Sequence, residues 1–264
     1  MFKQHFGITH TPLSKQTTTF WDDGFLSQLQ KRFDWLLQSP GVGLLTGEPG
    51  VGKTAWLRTM TNALNTHRYQ VIYTSDTDFG RLDIYRQLAL AFGIEPAFRR
   101  AMLWRQLKEH ITELHENKNI LPIWIIDEAQ NLPYEFFKDF PSFLNFAFDS
   151  KDLMTVWLVG HIQLGKTLER HAYSALSTRI QVREVVEPVF DRERFANMLQ
   201  HAFKEAGCLS PIMSDSGIEL IRMASKGNLR EAHQTIQNSL RLAADKMLNH
   251  LPDDVINEAI ESLR

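Results

Sequence analysis

The sequence predicts an α/β fold, a parallel sheet covered on both faces by helices, followed by a small domain of helices alone. Three observations lead there. Short apolar runs alternate with helical stretches over residues 40 to 187, the pattern that builds a parallel sheet. A glycine-rich turn separates the first of these runs from the helix after it, at the strand end where open α/β sheets hold ligands. After Pro188 no strand pattern remains, and helical periodicity runs to the C-terminus with breaks near Gly207, Gly227 and Pro252. The expected division is an N-terminal arm and helix over 1–38, an α/β domain over 39–188 and a helical domain over 189–264.

The first nineteen residues are polar and turn-rich, with Pro12 and a run of threonines, and read as an extended arm. Phe25, Leu29, Phe33 and Leu36 then fall on one helical face, with Asp22 or Asp23 as N-cap. Val42 to Thr46 is a short apolar strand, and a helix is expected from Lys53 to about Thr66. Val71 to Ser75 is the second strand, followed by helices near 82–92 and 98–116. The Ile123–Ile126 run is a buried strand, and an aromatic-rich helix is expected over 134–148. Thr155 to Val159 is the next strand. Residues 180–185 alternate as a half-exposed strand does. The chain shows no internal repeat and no low-complexity segment.

Composition narrows the class only a little. Of the 264 residues, 43% are hydrophobic and 23% charged, as in ordinary globular proteins. The longest apolar runs have strand length, far short of a membrane span, and the N-terminus lacks the apolar core of a secretory signal. A single cysteine, Cys208, rules out an internal disulfide and fits a reducing cytoplasm. The net charge of −2 leaves DNA binding open, because a local basic patch can sit within a neutral total.

Residues 47–54 read GEPGVGKT, which matches the phosphate-loop pattern G-x-x-x-x-G-K-[ST]. Such a loop wraps a phosphate in its own backbone N–H groups, and its glycines permit both the required φ values and the close approach. Gly47, Glu48, Pro49, Gly50, Val51, Gly52, Lys53, Thr54 and Ala55 are therefore expected to hold the cofactor, ATP. Lys53 would reach the β- and γ-phosphates, and the Thr54 hydroxyl would ligate Mg²⁺. The helix beginning at Lys53 directs its positive end at the same phosphates. A second match, GHIQLGKT at 160–167, is set aside. Bulky side chains replace its internal Pro-Gly pair, and no apolar strand ending in adjacent acids follows it.

Such a strand does follow the first match. Leu121 to Glu128 is an apolar run ending in two acids, expected at the same sheet edge as the loop. Asp127 would hold Mg²⁺, directly or through water, and Glu128 would orient and polarise the attacking water. The next strand ends in Gly160-His161, so His161, or Gln163 nearby, is placed to sense the γ-phosphate. In the helical domain KGNLRE (226–231) sets a glycine, a capping Asn228 and Arg230 at a helix start. Arg230 is placed to couple that helix to the γ-phosphate. Transition-state charge also calls for a catalytic cation from a neighbouring subunit. Arg179 is the first candidate and Arg170 the second.

Taken in order and spacing, GEPGVGKT, IIDEAQ, VWLVG and KGNLREAHQ resemble the ExeA/TniB/TnsC group of AAA+ ATPases. The opening Phe2…His5-Phe6-Gly7…Pro12-Leu13 is similar to the group's N-terminal signature, with Leu13 where phenylalanine is usual. The resemblance covers nearly the whole chain. It implies a P-loop AAA+ domain followed by a small C-terminal helical lid domain. One branch contains transposition helpers similar to the Mu B protein, which assemble on duplex DNA with ATP and recruit or activate a transposase. The other contains secretion ATPases with a membrane helix and a cell-wall-binding domain beyond the ATPase. Because the sequence ends at Arg264 with neither, the transposition branch is expected, as a cytoplasmic homo-oligomer, ring or helical filament, without a membrane role. The alternative is an ATPase that loads a helicase or supports secretion through protein partners. Phe2 and Phe6 would, by resemblance, lie near the adenine.

Between Phe79 and His110 six basic residues face three acids, and Arg99, Arg100 and Arg105 are the candidate DNA contacts. Contacts of that kind are sequence-independent and salt-sensitive. No histidine pair has metal-ligand spacing supported by acids or cysteines, so zinc is not expected. The aromatic cluster Tyr134, Phe136, Phe137, Phe140, Phe143, Phe146 and Phe148 is read as core or subunit interface, not as a base-stacking platform.

Overall fold

A computed structural model describes residues 2–75, 80–208 and 210–263; Phe79, where the basic stretch opens, lies outside the described residues. In chain order the elements are α1 (Phe2–His5), α2 (Phe25–Gln38), β1 (Val42–Gly47), α3 (Lys53–Asn62) and β2 (Tyr69–Thr74). Next come α4 (Asp83–Ala91), α5 (Arg100–Glu116), β3 (Leu121–Ile126), α6 (Tyr134–Leu144) and β4 (Thr155–Gly160). They are followed by α7 (Ile162–Leu168), α8 (Ser174–Ser177) and β5 (Ile180–Val186). The chain closes with α9 (Arg192–Glu205), α10 (Asp215–Ser225), α11 (Leu229–Asp245) and α12 (Asp253–Glu261). These elements fall into two units. One comprises Gln28–Gly47 and Trp56–Val186; the other comprises Met1–Ser27, Glu48–Ala55 and Glu187–Arg264.

The first unit is built on a five-stranded sheet of order β2-β3-β4-β1-β5, parallel at every pairing. β1, β3 and β4 are buried along their whole length, which requires cover on both faces. β5, an edge strand, alternates between buried and exposed positions as its sequence predicts. Because all strands run one way, Gly47, Ile126 and Gly160 end at one edge of the sheet. β4 lies hydrogen-bonded between β1 and β3, with Leu44 opposite Leu158 and Ile126 opposite Leu158.

Aromatic side chains fill much of this unit's core. Phe136, Phe140 and Phe143 of α6 are fully buried beside Tyr85, Trp104 and Trp124. Phe137 and Phe146 are buried too, whereas Tyr134 and Phe148 face solvent. α6 is shorter than its sequence suggests. Asn145 turns extended, Ala147, Phe148 and Asp149 take positive φ, and the Lys108 ammonium donates to the carbonyls of Ser142 and Asn145. Basic side chains commonly satisfy the carbonyls left free at a helix C-terminus. α3 also stops early, at Asn62, before a turn in which the Asn65 side chain accepts the His67 N–H.

The second unit is helical, with a core of Phe195, Leu199, Ile221, Ile236, Leu240 and Ile256 among others. The arm expected to be extended is folded onto this core. It opens with α1, buries Ile8, and packs Phe2, Phe6, Leu13 and Trp21 against the helices. The Thr9 N–H donates to Ala206 O at 2.8 Å, His233 donates through Nδ1 to Pro12 O at 2.9 Å, and the His10 ring meets Glu205 at 2.7 Å. The apolar residues of the arm are irregularly spaced, so no periodicity announces that they are buried. Among the described residues no helix is long and apolar enough to cross a membrane.

Candidate nucleotide site

β1 runs straight into residues 48–52 and then α3, so the GEPGVGKT segment forms a strand–loop–helix turn. Gly50 and Gly52 take φ of +85° and +100°, values that side chains disfavour. Lys53, the first residue of α3, is buried to 8% exposure, and its ammonium donates to the Glu48 carbonyl at 2.9 Å. The next two carbonyls are held by α11. Asn228 donates through Nδ2 to Pro49 O at 2.6 Å, and the Arg230 N–H donates to Gly50 O at 3.1 Å. A Cβ at position 50 would lie 2.5 Å from Asn228 Oδ1 and 2.8 Å from Arg230 Cβ. Glycine is thus required here by the approach of α11 as well as by φ.

At the sheet edge, Asp127 follows β3 and is 4% exposed. Its Oδ1 accepts the Glu128 N–H at 2.9 Å, and its Oδ2 accepts the Tyr73 hydroxyl at 2.8 Å. Burial, and then the neighbouring Asp127 charge, push the Tyr73 phenol well above its ordinary value, so it stays a proton donor. Glu128 sits in the left-handed region at φ 51°, ψ 35°, an uncommon state for a non-glycine residue. Gln130 donates through Nε2 to Glu128 Oε2 at 2.6 Å, while its Oε1 accepts the His161 N–H at 3.0 Å. The His161 ring nitrogen Nε2 lies 3.7 Å from the same Glu128 oxygen. Gly160 leaves room for the bridge, since a Cβ there would stand 2.4 Å from Gln130 Oε1. Gln130 belongs to the IIDEAQ motif that carries the family resemblance, but the sequence alone assigns it no role.

The other candidates are more scattered. Gln163 is exposed in the first turn of α7. The second GxxxxGKT match lies mostly within α7, with Lys166 in the last turn, so it forms no loop. Arg179 forks onto Asp149 at 2.8 and 3.0 Å and donates to Ala175 O, and Arg170 is exposed after α7. Arg99 is exposed at the N-cap of α5. Arg100 pairs with Asp139 at 2.8 Å and lies over the Trp104 ring, and Arg105 meets Glu109 at 3.6 Å. Five residues apart, Arg100 and Arg105 lie about 140° round the helix from each other. Arg81 and Arg86 also face acids.

Residues 36–168, half of the chain, match the AAA domain family, and the chain belongs to that family. General secretion pathway protein A of Aeromonas hydrophila is 24% identical over 234 residues, 86% of this chain. The chain spans 42% of that protein's length. Among solved structures, the ORC2 protein of Aeropyrum pernix, in ADPNP–ADP complexes, aligns over 98% of this chain and 71% of its own, with TM-score 0.71 and 15% identity. Cdc6p of Pyrobaculum aerophilum aligns over 98% and 70%, with TM-score 0.71 and 17% identity. The Aeropyrum pernix ORC1 protein in complex with DNA aligns over 94% and 67%, with TM-score 0.68 and 16% identity. At these identities the likeness shows the fold, a P-loop AAA+ domain with C-terminal helices.

Proposed function

We propose that the chain binds and hydrolyses ATP, and that its ATP-bound form assembles on duplex DNA as a homo-oligomer. The observation that carries the catalytic half is the Gln130 bridge, which fixes the Glu128 carboxylate and ties it to the end of β4. In this reading the amides of residues 48–55 cradle the phosphates and Lys53 neutralises the β- and γ-oxygens. Thr54 and Asp127 offer the hard oxygen donors that Mg²⁺ takes. That ion would neutralise charge developing on the phosphates. Glu128 orients and polarises the attacking water, and His161 reports the γ-phosphate through Gln130. Arg230 meets the same phosphate from α11. Arg179 supplies the trans cation once it leaves Asp149, with Arg170 as second candidate.

Removing both hydrogen bonds of Gln130 with Gln130→Leu is expected to lower the turnover number roughly ten- to a hundred-fold. ATP affinity should stay near wild type, since the loop is untouched. Phosphate release and fluorescent-nucleotide titration check the two separately.

DNA binding rests on the AAA+ fold shared with an ORC1 protein solved on DNA, and on Arg99, Arg100 and Arg105 as backbone contacts. Arg100 and Arg105 must first exchange their acidic partners for phosphates. The recruitment or activation of a transposase rests on the sequence resemblance alone and gains nothing from the relatives found. The likeness to General secretion pathway protein A instead favours a second reading, an ATPase acting mainly on protein partners. Co-sedimentation with random-sequence duplex DNA in ATP, ADP or a slowly hydrolysed analogue separates the two. Pelleting that needs ATP and falls with salt supports assembly on DNA. No pelleting in any nucleotide removes it and leaves the protein-directed ATPase.

A further inference from the structure

The contact between α11 and the loop has a consequence for phosphate binding. In a trans peptide the N–H points opposite to the preceding carbonyl, and among the described residues every peptide bond is trans. Pro49 O is held by Asn228 and Gly50 O by the Arg230 N–H. The N–H groups of Gly50 and Val51 are therefore turned away from α11, to the opposite side of the loop.

We propose that Asn228 is a positioning residue for the nucleotide: by holding the Pro49 carbonyl, next to the Gly50 carbonyl that the Arg230 N–H holds, it helps present the Gly50 and Val51 amides to the phosphates. The assignment rests on the reading of this loop as the phosphate site. Asn228 does two things at once, which only one orientation of its amide allows. Its Oδ1 accepts the N–H groups of Arg230 and Glu231 at 3.0 and 3.4 Å, capping α11, while its Nδ2 donates to the loop. Asn228 is itself set in place by the turn after α10, where Lys226 takes positive φ and the Asn228 N–H donates to Ser225 O at 2.9 Å. Phosphate affinity and the seating of α11 are thereby linked, each favouring the other by the same factor.

Asn228→Asp separates the two roles. Aspartate caps a helix about as well as asparagine, so α11 and the melting temperature are retained. It has no N–H for Pro49 O and sets a carboxylate against that carbonyl. In the full chain with Mg²⁺ and a slowly hydrolysed ATP analogue, the variant is expected to bind roughly five- to ten-fold more weakly than wild type. Without nucleotide, amide exchange should quicken in residues 48–52 and stay unchanged in α11. Wild-type affinity and wild-type loop exchange in the variant would overturn the proposal, leaving Asn228 as a helix cap only. Faster loop exchange in the variant, with a wild-type protein that binds no nucleotide, would overturn the phosphate reading and with it the role of the two amides, while the mechanical pin stands.

Discussion

Replacing Glu128 with glutamine is expected to lower ATP turnover by roughly two to four decades while ATP stays bound. The substitution conserves shape. A glutamine at 128 still offers a carbonyl oxygen to Gln130 Nε2, so the bridge to the His161 N–H survives, as does the Asp127 contact to the backbone N–H of residue 128. What disappears is the negative charge that draws a proton from water. The variant should therefore accumulate in the ATP state and pellet with duplex DNA for longer than wild type after a limited pulse of ATP. Phosphate release measured beside nucleotide retention on a spin column checks this. Glu128→Gln turning over ATP like wild type would show that the general base lies elsewhere. Retention without longer residence on DNA would break the link between hydrolysis and disassembly.

Lys53→Ala should remove most nucleotide affinity. Lys53 opens α3 and is nearly buried, with its ammonium on the Glu48 carbonyl. A charge-assisted contact to phosphate contributes about 1.5–3 kcal/mol, so roughly one to two decades of affinity should go. Alanine is a good helix former at that position, so the fold should persist. The second GxxxxGKT match supplies the control: Lys166 lies in the last turn of α7, and Lys166→Ala should bind nucleotide as wild type does. Equal losses in both variants, read by fluorescence titration, would mean that the loop at 47–54 has no special part in binding.

The strands and the loop were legible because their signals are local. Each strand is an apolar run bounded by polar turn residues, and the loop and the Asp127–Glu128 pair are contiguous motifs. The loss of strand pattern after Pro188 coincides with the passage from β5 into α9–α12. What escaped depends on distance in sequence. Asn228 reaches a carbonyl 179 residues away, and Gln130 links to a backbone N–H 31 residues on. Asp139 draws in Arg81 and Arg100 from another element, so a basic stretch counted along the chain overstates the charge left for DNA. The N-terminal segment looked extended because its apolar residues lack a period, yet they belong to the helical core. α6 ends before its aromatic run does, where Asn145 turns extended and the freed carbonyls meet Lys108 of a different helix.

Family and function separate along the same line. The AAA domain match and the solved relatives agree with the motifs quoted from the sequence. The choice between DNA and protein partners turns on side chains outside those motifs, where the sequence resemblance pointed to transposition and the curated relative to secretion.

The most direct test of the account is phosphate release from ATP and Mg²⁺ by the purified wild-type chain, with and without duplex DNA, beside Glu128→Gln and Lys53→Ala. The account predicts release by wild type that both variants lose, with nucleotide still bound to the first and not to the second. Wild-type protein that binds ATP and releases no more phosphate than Glu128→Gln, with or without DNA, would contradict it and describe a nucleotide-gated adaptor instead.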